Sequence, residues 1–333
     1  MIKHSNISVF VPHIGCPQRC SFCNQVHITG SGEIPTAETV DNAVKEALGS
    51  SKYEPSNGEL AFFGGSFTAI RRDYMVSLLK AAKKHIDNGS ISGIRISTRP
   101  DAINEEVLEI LKEYGVTAIE LGAQSMDDEV LSLNKRGHTA SDVVKASELI
   151  KSYGFSLGLQ MMTGLLGDTN EKAIKTAERI ISCRPETVRI YPTVVLKNTY
   201  LGALFEKGEY KPQSVEEAAS LAAKLIPLFE KENIKVIRVG LHSVDEESVL
   251  GGAWHPAFGE LVSNERYLNI IKEKLKSKKS GEYSVFVNKS DISKAVGHHR
   301  RNLESLKALG FSVKIFGDEA IKPFEIKIKE GER

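Results

Sequence analysis

Three of the four cysteines, Cys16, Cys20 and Cys23, fall within one stretch, GCPQRCSFCNQ. Their spacing at i, i+4 and i+7 on a short loop can turn three thiolates toward a common inorganic centre. A four-iron cluster takes four ligands, so three cysteines leave one iron open. An open coordination position is what separates a reactive metal centre from a structural one. Zinc is the competing occupant, since His27 follows closely and could complete a tetrahedral set. Cysteines packed this tightly point to metal or redox chemistry before disulfides. Cys183, in AERIISCRPE, reads as a small buried hydrophobe.

The elements that must position these thiolates repeat along the chain. NISVFVPHI, GELAFFG, GIRIST, VTAIELG, FSLGLQMM, TVRIYPTVV and IKVIRVGL are β-branched or apolar runs that read as strands. Segments with apolar residues at three- and four-residue intervals lie between them and read as helices, most beginning after Thr, Ser, Asp or Asn. The pattern predicts an α/β fold, a partial (β/α)6 TIM-like barrel over residues 1–245 with a small C-terminal α/β extension over 246–333. Ligands of such barrels sit at the carboxyl ends of the strands. Cys16, Gly64-Gly65, Thr98-Arg99-Pro100, Gln124 and Met162-Thr163-Gly164 all follow strand candidates, so one face should collect them.

Composition sets the class. Hydrophobic residues make up 41% of the 333, ample for a large core. Lys and Arg number 44 against 43 Asp and Glu, which does not announce a nucleic-acid binder, although a local basic face can hide in that average. No apolar run approaches the ~20 residues of a membrane span, and MIKHSNISVF lacks the features of a secretory signal. A cytoplasmic protein with no membrane partner is expected.

Cys16, Cys20, Phe22 and Cys23 resemble the CxxxCxΦC motif of the radical S-adenosylmethionine (radical SAM) superfamily. The resemblance implies a [4Fe-4S] cluster on the three cysteines, with Phe22 beside it and S-adenosyl-L-methionine (SAM) chelated to the open iron. It further implies reductive cleavage of SAM to a 5′-deoxyadenosyl radical that takes hydrogen from a substrate, and an electron donor such as flavodoxin or ferredoxin. FFGGSFTAI is similar to the family's glycine-rich second-strand motif, which makes Gly64, Gly65 and Ser66 cofactor contacts. Ser66 stands where many members carry an acidic residue.

ISTRPD, ELGAQSMDDEVLSLNKRGHT, GLQMMTGLLGDT and VRIYPTVVLKNTYLGALFEKGEYKP resemble the radical domain of the Elongator catalytic subunit, over roughly residues 5–240. That likeness implies work on the wobble uridine of tRNA. No acetyl-coenzyme A fingerprint is recognisable after the barrel, so the family's acetyltransferase domain is expected to be absent, as in stand-alone bacterial relatives with a C-terminal extension. By the same match Ser97, Thr98, Arg99, Gln124 and Met162 become cofactor candidates. Arg99 would hold the cofactor carboxylate by a two-pronged charged hydrogen bond, and Gln124 or Ser97 would meet the ribose hydroxyls.

Substrate candidates are Glu120, His138, Tyr191, Trp254 and His255. Glu120 has a structural alternative as an interior ion-pair partner of Arg189, and Met161 and Met162 as core fillers. Lys135, Arg136, Gly137 and His138 match a family loop whose role is surface contact or substrate contact. Trp254, His255 and Phe258 could line a substrate mouth, with the extension as its cover. His298–Arg301 and the Lys-rich 272–279 stretch are either a phosphate-binding face or a solvated helix face. The expected function is radical modification of a tRNA nucleoside. The alternatives are a small substrate such as a tetrapyrrole precursor, and a non-catalytic metal-binding module.

Overall fold

The computed structural model describes residues 5–11, 20–24, 34–241 and 244–331. Cys16 and His27 lie outside the described residues. Contacts divide the chain into one unit of residues 1–212 with 228–254 and a second of residues 213–227 with 255–333.

The first unit is built on a parallel sheet of seven strands in the order β1-β2-β3-β4-β5-β6-β8. They are β1 Ser5–Val11, β2 Gly58–Gly64, β3 Gly93–Thr98, β4 Val116–Gln124, β5 Ser156–Thr163, β6 Thr187–Pro192 and β8 Lys235–Val239. Helices flank the strands, giving the curled half-barrel expected of a partial TIM-like α/β fold. Among the described residues no helix is long and apolar enough to cross a membrane.

Each helix starts and docks for local reasons. Thr169 caps the helix Asn170–Ser182 by accepting from the Lys172 N–H, and the helix buries Ala173, Thr176, Ala177 and Ile180, the i, i+3, i+4, i+7 stripe of an amphipathic helix. Thr36 opens Ala37–Leu48 with a reciprocal capping box, and that helix buries Val40 and Val44. Burying one such valine contributes about 1.5–3 kcal/mol.

Strand alternation decides what faces the barrel interior. The register pairs Ser97 with Glu120, Glu120 with Gly158, and Gln160 with Arg189, so these side chains share one face. The other face carries Ile94, Ile96, Ile119, Leu121, Leu157 and Leu159, all buried. The inner face is therefore polar and the outer face apolar.

The segment TVRIYPTVV does not remain one strand. After Pro192 it turns into β7 Val194–Leu196, which pairs antiparallel with β9 Val249–Gly252. That pairing corrects the expected domain boundary. It ties residues 249–252 to the first unit, so the division falls after Trp254 and not after 245. A second correction is the membership of residues 213–227, which belong with the C-terminal unit.

In the second unit, β10 Gly281–Val287 is the central strand of a three-stranded sheet. It pairs in parallel with β11 Phe311–Gly317 and antiparallel with β12 Lys327–Glu330. Tyr267, Leu268, Ile271 and Leu275 of the helix Phe258–Leu275 pack with Tyr283, Val285 and Val287 of β10 to form the core. Tyr267 donates to Asp291 at 2.7 Å and accepts from the Phe324 N–H at 2.9 Å, so its buried hydroxyl is satisfied twice.

Candidate cofactor site

At the carboxyl ends of β2, β3 and β4 lies a cavity lined by Cys20, Phe22, Cys23, Gly64, Gly65, Ser66, Ser97, Thr98, Arg99, Gly122, Gln124, Arg136 and Gln160. Eight residues expected at a cofactor from their spacing or resemblance meet here, together with the two described cysteines.

The cysteine turn is held from two sides. Ser21, fully buried, donates its N–H to the Asn134 carbonyl at 3.1 Å and its hydroxyl to Asn134 Oδ1 at 2.7 Å. Its own carbonyl accepts from the Leu201 N–H at 2.8 Å, at the start of the helix Tyr200–Glu206. Phe22 packs against Met162, Val130 and Leu165 on one side and Val195, Leu201 and Leu204 on the other. The aromatic before the last cysteine thus anchors the turn as well as lining the cavity.

Gly64 ends β2 with φ +104, and a Cβ there would stand 2.7 Å from the Val11 carbonyl oxygen. Only glycine permits this approach, which lets the Gly65 N–H donate to that same oxygen at 2.7 Å. Ser66 is buried, and its hydroxyl oxygen accepts from the Arg99 N–H at 3.2 Å. A hydroxyl chain continues from Ser66 to Thr98 at 2.9 Å, to Thr68 at 2.6 Å, and on to the Ala102 carbonyl at 2.6 Å. Because the chain ends on a carbonyl, each hydroxyl proton is committed within it, and Ser66 faces the cavity as an acceptor.

Arg99 already has partners within the chain. Its fork grips Asp101, Nε to Oδ1 at 2.8 Å and Nη2 to Oδ2 at 2.7 Å, and Nη2 also donates to the Arg136 carbonyl at 3.0 Å. The two-pronged surface expected to hold a cofactor carboxylate is occupied by the carboxylate two residues on. Arg99 instead positions the turn that carries Arg136.

Arg136 is the residue that sequence reasoning left among loop matches. It is 6% exposed, donates from Nη1 to Cys20 Sγ at 3.1 Å and from Nη2 to the Gly122 carbonyl at 2.6 Å. Its Nε has no partner among the described residues. Lys135 at φ 54 and Gly137 at φ 72 bend the backbone on either side, aiming the side chain at the cavity. Opposite in character is Gln124, whose buried Oε1 also lacks a partner among the described residues. Its φ of 64 and the register break between Gly122 and Gln124 mark a strained strand end.

Glu120 is 1% exposed and sits in an ion-pair network, not at an open surface. Arg189 Nε and Nη2 reach its two oxygens at 2.6 and 2.8 Å, Gln160 donates to it at 2.9 Å, and Arg95 approaches to 3.4 Å. Gln160, missed in the sequence, couples this network to the cavity. The signal was a lone amide inside an apolar strand. Met161 is core, while Met162 and Tyr191 pack near Phe22. Burial raises the Tyr191 phenol above its ordinary pKa, against the pull of Arg189.

His138 does not line the cavity. It is buried, with Nε2 3.3 Å from the Ala123 carbonyl oxygen, and burial followed by the Arg136 charge push its pKa down to about 4. The folded state therefore binds its proton less tightly than the unfolded chain. The stability it contributes is complete above about pH 6.5 and is lost as pH falls toward 4, about 3 kcal/mol in all. Urea unfolding across this window should show a steeper acid loss for wild type than for His138→Gln, and parallel curves would refute the assignment.

Trp254 belongs to the first unit, and His255 and Phe258 to the second. Trp254 packs on Val194, Leu196 and Val244 in the first unit. In the second unit, His255 accepts from the Ala257 N–H at 3.0 Å and lines a cavity with Glu216, His298 and Arg301, while Phe258 is buried at the start of its helix.

Two family profiles match the chain. Residues 10–180 match the profile of the Radical SAM superfamily, and residues 185–268 that of the Radical SAM C-terminal domain. The tRNA uridine(34) acetyltransferase of Methanocaldococcus jannaschii is 28% identical over 272 residues, 76% of this chain and 50% of that protein. An uncharacterized protein of the same organism is 26% identical over 276 residues, covering 82% of this chain and 81% of its own length. The archaeal Elp3 of Methanocaldococcus infernus superposes with a TM-score of 0.65 at 23% identity, over 85% of this chain and 66% of that chain. The chain spans about half the length of the tRNA uridine(34) acetyltransferases it matches.

Proposed function

The chain belongs to the radical SAM superfamily, and on that premise we propose that it is a radical enzyme acting on a tRNA nucleoside. The cluster would be held by Cys16, Cys20 and Cys23, with SAM in the cavity beside them. One observation carries the cofactor half: two cysteines, a glycine-permitted backbone approach, the Arg136 guanidinium and the Gln124 amide line one cavity. SAM presents a carboxylate, an ammonium and ribose hydroxyls, and the cavity offers a donor and acceptors for them, so the residues fit the group. When bound, cluster and SAM together supply an electron and a carbon radical that takes hydrogen from substrate.

The protein's own part is positioning and charge. Arg136 donates to Cys20 Sγ at 3.1 Å, which fixes the direction of that side chain at the cavity. Its guanidinium would supply the positive charge for the cofactor carboxylate. Gln124 Oε1 accepts from a hydroxyl or ammonium, and Gly64 keeps side-chain bulk away from the binding face. The RNA half is supported by relatives whose activity is tRNA uridine(34) acetyl transfer. An electron donor of the flavodoxin or ferredoxin kind completes the proposal.

Reduced, anaerobically reconstituted protein should release 5′-deoxyadenosine faster when given tRNA from cells lacking the protein, and a new nucleoside mass should appear in that RNA. Deoxyadenosine release that ignores RNA, with no nucleoside change, would overturn the substrate. Arg136→Ala should weaken SAM binding about ten- to a hundred-fold, as expected for loss of one charged hydrogen bond of about 1.5–3 kcal/mol. Equilibrium dialysis on matched iron-loaded samples measures it, and unchanged affinity would remove Arg136 from the site.

A further inference from the structure

The three-stranded sheet of the second unit is covered by helices on one face only. Strand alternation sends Tyr283, Val285 and Val287 into the helical core and turns Ser284 and Phe286 outward. The parallel register sets Phe286 beside Phe316 of β11 and Ser284 beside Lys314, and the antiparallel register sets Phe286 beside Lys327 and Ser284 beside Lys329. Two rings therefore stand side by side on an open sheet, stacked with centroids 5.4 Å apart and planes 27° from parallel. Phe316 remains 43% exposed, an unusual place for a phenylalanine with no ligand to meet.

The surroundings are cationic. Lys314, Lys327 and Lys329 are all exposed, and the Lys329 ammonium lies 5.2 Å from the Phe286 ring centroid. None of the three is in an ion pair among the described residues. Glu330 alternates to the opposite face, where it meets Lys278 at 3.6 Å. Glu282 of β10 also falls on this face, two residues from Ser284 and away from the rings.

We propose that this face binds single-stranded RNA, bases stacking on Phe286 and Phe316 and phosphates meeting Lys314, Lys327 and Lys329. Flat apolar rings on a sheet suit unpaired bases, which offer a π-face whatever their sequence, and flanking cations follow the backbone between them. A protein partner would need acids facing the lysines and a shaped apolar knob for the rings. RNA supplies both properties in every nucleotide. The proposal rests on the reading that the substrate is an RNA, and it gives the second unit the task of gripping unpaired nucleotides.

The test is fluorescence anisotropy of a labelled, unstructured RNA oligonucleotide with the full chain at low salt. Phe286→Leu with Phe316→Leu keeps apolar strand residues but removes the rings, and should weaken binding about ten-fold or more. Phe286→Tyr with Phe316→Tyr should bind as wild type. Lys314→Gln, Lys327→Gln and Lys329→Gln together should lower the slope of log affinity against log salt by about 2. Iron content and RNA-independent deoxyadenosine release should be unaltered in all of them, showing that each variant is folded. Leucine variants that bind like wild type overturn the platform. So does a wild-type chain that fails to retain the oligonucleotide. If tRNA is still modified in either case, the substrate reading stands and only the platform falls.

Discussion

Anaerobically reconstituted Cys20→Ala protein should lose nearly all of the cluster, whereas Cys183→Ala should keep the full complement of about four irons per chain. Cys20 lines the cavity beside Cys23 under the Arg136 guanidinium. Cys183 is buried at the end of the helix Asn170–Ser182, its thiol raised by burial and directed at the Arg179 carbonyl. A thiolate is the metal-binding form, so the burial of Cys183 opposes ligation there. Iron assay and the visible thiolate-to-iron absorption report both variants. The metal-free forms should melt together, because Cys20 adds little to the core. A Cys20→Ala protein with a wild-type spectrum would end the assignment.

Glu120→Ala should destabilise the first unit by about 3–5 kcal/mol, because it strands the buried Arg189 guanidinium and removes one partner of Arg95. Domain stabilities of about 5–15 kcal/mol make this a large fraction of the total. Glu120→Gln keeps the volume and loses the charge, and should fall between the two. Joint replacement by Glu120→Leu and Arg189→Met should recover much of the loss, since exchanging a buried pair for packed apolar groups is often neutral. Arg95 retains Glu59 at 2.8 Å throughout, which limits the damage. Unfolding curves decide the matter. A Glu120→Ala variant as stable as wild type would return Glu120 to the list of substrate contacts.

What could be read from the sequence follows the range of the forces involved. Strands β2 to β6 were legible because buried parallel strands write apolar runs, β1 and β8 because their runs are β-branched, and the helices because Thr and Asn caps precede amphipathic stripes. The interior pair of Glu120 and Arg189 was legible too, as both interrupt those runs, whereas Gln160 at the same parity was passed over. The hold of Arg99 on Asp101 was not foreseen, although the partner lay two residues away in TRPD. Motif resemblance says which residue stands at a position, while only the fold says what its side chain already holds. Arg136 could not be placed, since its reach depends on the turn after Asp128–Leu133 and on a contact to Cys20 more than a hundred positions distant. Trp254 and His255 are neighbours in sequence, yet the end of β9 and the start of a helix part them. The Phe286–Phe316 pair was also hidden, because it exists only through the β10–β11 register.

The hold on Ser21 bears on how the enzyme meets oxygen. The turn bearing Cys20 and Cys23 is fastened through Asn134 and Leu201, by hydrogen bonds that involve no metal. Oxidative loss of iron therefore leaves this part of the receptacle standing, its thiols oriented and its barrel folded. A metal-free molecule given iron and sulfide anaerobically should therefore recover its visible absorption without a refolding step.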